Sequence, residues 1–180
     1  MKIILASNSP RRKELLKEYE IDFEVIPSNV DEVIDETLNV YENVMNLAKI
    51  KCLDVLKNNP SRTILAADTI VVYDNQILGK PKDEEDAFRM LSLLSGKTHE
   101  VITAVAVANE CGVNVSYEVS KVVFKNITDE EIYEYITTKE PLDKAGSYAI
   151  QGIGGKFIER YEGDFNNIVG LPMELVKKML

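Results

Sequence analysis

The chain has 180 residues, 45% hydrophobic and 28% charged, which suits one soluble globular domain over residues 1–180. Its formal net charge of −9 excludes the broad basic field that binding to a DNA or RNA polymer needs. No apolar run reaches the length of a membrane span and the opening lacks a signal-peptide pattern, so a cytoplasmic protein with no membrane partner is expected.

Residues 2–6 read as a buried strand, followed by a Ser-rich turn and a helix over 10–19. Ser9 suits the N-cap and Pro10 the first helical position. Residues 23–27 alternate as a strand, and the polar, acidic segment 28–38 reads as a loop. Val40, Val44, Leu47, Ala48, Ile50 and Leu53 recur near helical spacing, which predicts a long helix over 39–58. Asn58-Asn59-Pro60-Ser61 stops it. An apolar strand over 63–73 turns at Asp74-Asn75 into a short strand at 76–78. A helix over 83–95 ends near Gly96. Long alternating strands at 99–109 and 113–124 are joined around Glu110-Cys111-Gly112. Thr128 caps a helix running to about 137, residues 139–156 read as loop, and a last helix covers 171–179. Strands alternate with helices, but the short 109–113 connection makes one pair antiparallel. The predicted class is therefore α/β with a mixed sheet.

The first helix start is electrostatically odd. Arg11 and Arg12 fall in its first turn with Lys13 behind them, and Arg12 takes the position where a capping box would place Glu or Gln. That helix end already carries partial positive charge and unpaired N–H groups. Cations there, in an acidic chain, point to a pocket for an anion, phosphate above all.

Asp68 follows the apolar run Thr63-Ile64-Leu65-Ala66-Ala67 and precedes Ile70-Val71-Val72. A carboxylate in such a run is costly to bury unless paired. It is either a metal ligand or general base, or a strand-end residue that reaches solvent. Lys80, between Gly79 and Pro81, is either an aimed ammonium or a solvated turn lysine, and Lys51 on the long helix poses the same choice. Asp31 and Glu32 by themselves read as a solvated acidic loop. Ser95-Gly96-Lys97-Thr98 imitates a P-loop end, but Leu91 stands where the first glycine belongs and the segment ends a helix. Gly152-Ile153-Gly154-Gly155-Lys156 fails the dinucleotide fingerprint because Phe157 takes the third glycine's place. The solitary His99 reads as structural, and Cys52 and Cys111, without metal-ligand spacing, read as unpaired thiols.

From end to end the chain resembles the Maf family of nucleoside triphosphate pyrophosphatases. The motifs that carry the resemblance run in order. They are Ser7-Asn8-Ser9-Pro10-Arg11-Arg12, Asp31-Glu32, Leu47-Ala48-Lys49-Ile50-Lys51, Ala67-Asp68-Thr69-Ile70-Val71 and Leu78-Gly79-Lys80-Pro81. Ser95 to Val101, Asp143 to Gly152 and Asn167-Ile168-Val169-Gly170-Leu171-Pro172 complete the series. Gly163-Asp164-Phe165 departs from the family's usual Gly-Ser-Tyr.

The resemblance implies an elongated two-lobed α/β fold, similar to inosine triphosphatase, with a central mixed β-sheet flanked by helices. It implies hydrolysis of a nucleoside triphosphate to the monophosphate and pyrophosphate with a divalent cation, Mg²⁺ or Mn²⁺, as a house-cleaning activity. Asp68-Thr69 and Ala149-Ile150-Gln151-Gly152 are similar to the branch acting on dTTP and UTP. By the same match Ser7, Arg11 and Arg12 bind substrate, Arg12, Thr69 and Gln151 set base preference, and Glu32 and Asp68 hold the metal. Lys51 and Lys80 neutralise the triphosphate, and Asp68 orients or deprotonates the attacking water. A homodimer is the implied assembly. Two other classes stand beside this reading: a nucleotide-sensing regulator of cell division with incidental catalysis, and a phosphate-binding module without chemistry.

Overall fold

The computed structural model describes residues 2–180. In chain order it contains β1 (Ile3–Leu5), α1 (Pro10–Glu18), β2 (Phe23–Val25), α2 (Val40–Lys57), β3 (Ile64–Tyr73), β4 (Gln76–Leu78) and α3 (Glu84–Leu94). Then come β5 (Thr98–Asn109), β6 (Gly112–Phe124), α4 (Asp129–Thr137), β7 (Ile158–Glu162), α5 (Phe165–Val169) and α6 (Met173–Met179). The strands form one mixed sheet in the order β2-β1-β3-β5-β6-β7, with β4 also on β3. β1 runs parallel to β2 and β3, whereas β4 is antiparallel to β3 and β7 to β6. This is the α/β class with a mixed sheet that the strand–helix alternation predicts.

Local chemistry explains the boundaries. In α1 the Ser9 hydroxyl accepts the Arg12 N–H, and Pro10 opens the helix. α2 starts with a full capping box: Asn39 accepts the Glu42 N–H at 2.9 Å, and the Glu42 carboxylate accepts the Asn39 N–H at 2.9 Å. Thr128 and Glu131 repeat the device in α4. Asp74 and Asn75, at φ 48° and 60°, make the two-residue hairpin turn that their side chains tolerate.

The described residues fall into two compact units. The first holds residues up to Thr69, Thr103–Glu118 and Phe165–Leu180. Its core stacks Ile3–Leu5, Leu16, Val44, Ala48, Cys52 and Ile64–Ala67 against Ala104–Ala108 and α6 residues Met173 and Val176, all buried. Burial pushes the Cys52 thiol up to about 12, and both Cys52 and the exposed Cys111 are unpaired, as expected. The acidic loop of this unit is tied down at both ends. Asp54 on α2 accepts the Ser28 hydroxyl at 2.9 Å and the Asn29 N–H at 3.1 Å. Buried Asn43 accepts the Asp35 N–H at 2.8 Å and donates to the carbonyls of Asp35 and Leu38.

The second unit holds Ile70–Ile102 and Val119–Asp164. Its core gathers Leu78, Ala87, Met90, Leu91, Leu94, Phe124, Ile132, Tyr135 and Phe157. The segment read as loop over 139–156 contains three short 3₁₀ turns, at Glu140–Asp143, Ala145–Ser147 and Ile153–Phe157. Among the described residues no helix is long and apolar enough to cross a membrane.

Candidate active site

The turn after β1 and the start of α1 bring Ser7 and Arg12 to the middle of β3. Ser7 is buried, and its hydroxyl accepts the Ser9 N–H and Arg12 Nη1, each at 3.2 Å. The Arg12 guanidinium also donates from Nε to the Gly170 carbonyl at 2.8 Å and from Nη2 to Thr69 Oγ1 at 3.1 Å. All three guanidinium nitrogens are thereby committed within the protein, and the planar fork fixes their directions. Burial pulls the Arg12 pKa down, opposed by the charge of Asp68, while the like charge of Arg11 adds to the lowering. Arg11, half-buried, has no ion pair or side-chain hydrogen bond among the described residues, so its charge remains for an anion at the helix start. The pair thus divides: Arg12 is committed to partners within the protein, and Arg11, on the same turn, is not.

Asp68 is 6% exposed in β3, one residue before Thr69. Lys51, on the inward face of α2, donates to Asp68 Oδ1 at 2.5 Å and pairs with Glu32 Oε1 at 2.8 Å. The lysine is nearly as enclosed as the aspartate, whereas Glu32 on the anchored loop stays open to solvent. Burial raises the Asp68 pKa against the lowering effect of Lys51, with Arg12 a weaker counterweight. Asp68 is thus not a strand-end residue that reaches solvent, because it is buried beside charges. Lys51 is likewise a buried partner of carboxylates and not a solvated helix lysine.

The first unit therefore assembles Ser7, Arg11, Arg12, Glu32, Lys51, Asp68 and Thr69. Lys80 and Gln151 belong to the second unit. Lys80 is exposed directly after β4, where the Gly79 carbonyl accepts the Gly146 N–H at 3.1 Å. Gln151 is exposed in the turn before Ile153. Glu140 holds that turn, accepting the Ile153 and Gly154 N–H groups, each at 3.0 Å, and the Tyr135 hydroxyl at 2.6 Å. His99 is structural as read: Nε2 meets the Tyr148 hydroxyl at 2.6 Å, and its ring sits edge-on to Phe124.

Sequence reading placed Gly170 only within the closing motif and gave it no role; its carbonyl anchors Arg12. Gly170 has φ +124°, and a Cβ there would lie 3.4 Å from Thr69 Oγ1. Sequence reading gave Asn167, in the same motif, no role either, and it missed Thr103. Thr103 Oγ1 lies 2.9 Å from Thr69 Oγ1, and Asn167 holds Thr103 by two hydrogen bonds. The available signal was one hydroxyl residue within the apolar run Val101-Ile102-Thr103-Ala104-Val105.

The model of the Maf-like protein family matches residues 2–180. The chain belongs to the Maf family. Two other members, each named dTTP/UTP pyrophosphatase, are similar along nearly their whole lengths. The Caldicellulosiruptor bescii protein is 51% identical, with 99% of this chain and 93% of that protein covered. The Bdellovibrio bacteriovorus protein is 50% identical, with 99% and 96% covered. Among solved structures, the Staphylococcus aureus Ham1 protein shares the fold at a TM-score of 0.52 and 16% identity, covering 88% of this Maf chain and 80% of that one.

Proposed function

We propose that this Maf-family chain hydrolyses dTTP and UTP to the nucleoside monophosphate and pyrophosphate. The observation that carries the reading is the buried Asp68, ion-paired through Lys51 with Glu32 and one residue from the Arg12–Thr69 contact. A module that only bound phosphate would be weakened by two carboxylates there, because they repel the anion unless a cation stands between. The full-length likeness to proteins named dTTP/UTP pyrophosphatase supports the same choice of substrate.

The donor set suits a divalent cation. Glu32 and Asp68 present hard carboxylate oxygens that already converge on one positive centre, the Lys51 ammonium. Among the described residues no group of three or more His, Cys, Asp or Glu is poised for a metal. Two carboxylates completed by substrate phosphates and water are what Mg²⁺ or Mn²⁺ takes in such sites. Glu32 and Asp68 would hold the ion, which supplies charge neutralisation for the phosphate oxygens.

The protein's own groups do the rest. The α1 N-terminus and Arg11 bind phosphate oxygens, and the Ser7 hydroxyl donates to one. Lys51 keeps the carboxylates together and supplies a nearby positive charge. The Asp68 carboxylate, whose burial raises its proton affinity, takes a proton from the water that attacks the α-phosphorus, and pyrophosphate leaves. Lys80 neutralises the leaving phosphates, and Gln151 reads the pyrimidine with an amide that both donates and accepts. The substrate comes from the cytoplasmic nucleotide pool.

Pyrophosphate release from a panel of nucleoside triphosphates, with Mg²⁺, with Mn²⁺ and with chelator, tests the proposal. Turnover of dTTP and UTP, lost with chelator, is expected. Turnover of other triphosphates with dTTP and UTP intact refutes the substrate reading.

A further inference from the structure

The hydroxyls at Ser7 and Thr69 both touch Arg12, yet the hydrogen bonds around them leave opposite valences. A hydroxyl has one proton and two acceptor lone pairs. Ser7 Oγ accepts twice, from the Ser9 N–H and from Arg12 Nη1, both at 3.2 Å. Its proton is what remains, and a proton suits a phosphate oxygen.

Thr69 is the reverse case. The Asn167 main-chain carbonyl can only accept, so Thr103 Oγ1 donates its proton to it at 2.9 Å. Thr103 then has only lone pairs for Thr69, and the 2.9 Å contact between the two hydroxyls runs from Thr69 to Thr103. Arg12 Nη2 fills one lone pair of Thr69 at 3.1 Å. The result is a one-way chain from Arg12 through Thr69 and Thr103 to the Asn167 carbonyl. Its charged head and buried tail reinforce one direction. The Asn167 side chain fixes the other end, its Oδ1 accepting the Thr103 N–H at 3.1 Å. Thr103 and Asn167 are both fully buried, so no water offers Thr103 another partner.

We propose that Thr103 and Asn167 are specificity-positioning residues that commit the only Thr69 proton, so that Thr69 meets the pyrimidine as an acceptor alone. The proposal rests on the dTTP/UTP reading above. The group that an acceptor can take from uracil or thymine is the imide N3–H. Cytosine offers a bare lone pair at N3, which an acceptor repels. A sugar hydroxyl cannot supply this selection, because dTTP lacks the 2′-hydroxyl and every nucleotide with an intact sugar has the 3′-hydroxyl. A site built to receive an N–H rejects an analogue without it more strongly than apolar shape alone does.

The test measures kcat/KM for UTP, CTP and N3-methyl-UTP with the wild-type protein and with Thr103→Val and Thr103→Ser. The wild type is expected to favour UTP over both other nucleotides by about tenfold or more. Thr103→Val frees the Thr69 proton and is expected to shrink the UTP:CTP ratio about tenfold, with CTP turnover rising. Thr103→Ser keeps the relay and is expected to hold the ratio within about twofold. A purely structural role would lower both substrates together and leave the ratio alone. A folded Thr103→Val protein with the wild-type ratio overturns the inference. Should that variant not fold, the wild-type comparison decides: N3-methyl-UTP turned over as well as UTP overturns it. A selective loss with 3′-deoxy-UTP, with N3-methyl-UTP unaffected, overturns it in favour of a sugar contact. No turnover of UTP or dTTP overturns the functional reading itself, whereas UTP turnover with an unchanged ratio overturns the relay alone.

Discussion

Asp68→Asn should separate catalysis from stability. The side chain is nearly isosteric and the only large change is loss of charge. If the Lys51–Asp68 pair served structure alone, removing one buried partner would cost about 3–5 kcal/mol. For a chain of this size that corresponds to a fall in Tm of roughly 10 °C or more. The site argues otherwise. Burial outweighs the Lys51 attraction and raises the Asp68 pKa above 3.8, so the ionised carboxylate burdens the folded state. Lys51 also keeps Glu32 at 2.8 Å as a partner. At neutral pH the fall in Tm should therefore be much smaller than that loss. The sign with pH follows. The folded carboxyl takes up a proton at higher pH than the unfolded one, so the wild-type burden is present above the raised value. It disappears as pH falls towards 3.8, and the variant lacks this gain. Activity should behave quite differently. With Asp68 in its proposed roles of general base and metal ligand, the substitution should lower kcat/KM for dTTP about 10²–10⁴-fold, or about 3–5 kcal/mol in the barrier. Thermal melts from pH 7 to pH 4 beside steady-state pyrophosphate release measure both. Near wild-type turnover, or a collapse in Tm matching the lost activity, would refute the reasoning.

Three further outcomes are expected. Arg12→Lys cannot reproduce the planar fork to Gly170, Ser7 and Thr69, so kcat/KM should fall about a hundredfold; circular dichroism should remain native. Gly170→Ala places a methyl 3.4 Å from Thr69 Oγ1 in a backbone region with φ +124°, so stability should drop by about 1–3 kcal/mol in urea melts, and activity should drop with it. His99→Gln keeps a partner for Tyr148 but cannot titrate. Burial holds the His99 pKa down at about 4 against 6.5 in the unfolded chain, so its stabilising contribution is complete above 6.5 and drains away as pH falls towards 4. The wild type should lose about 3 kcal/mol from this group across that window, and the variant's melting profile should be correspondingly flatter.

Much of this protein is legible in its sequence because local signals and tertiary structure agree. Ser9-Pro10, Asn39 with Glu42, Thr128 with Glu131 and Asp74-Asn75 each state a boundary chemically, and each is where the fold places one. β7 escaped because Ile158–Glu162 is an exposed edge strand rich in charge, recognisable only by its pairing with β6. α5 escaped because five residues are too few to show a helical period. The last helix starts at Met173 and not 171, because Leu171-Pro172 leads into it in extended form. In the site, charge out of place revealed Arg11, Arg12 and Asp68. Lys51 looks ordinary on a helix face, and only the fold shows that this face meets β3. Thr103, Asn167 and Gly170 act through hydrogen bonds made across distant chain segments, and no spacing rule predicts such contacts.

The central claim is attack of water on the α-phosphorus of dTTP or UTP at the Asp68 site. Single-turnover hydrolysis in ¹⁸O-labelled water, with the products weighed by mass spectrometry, tests it most directly. The account predicts one labelled oxygen in the monophosphate and none in the pyrophosphate. Label in the released pyrophosphate, or diphosphate and orthophosphate as the products, would contradict it.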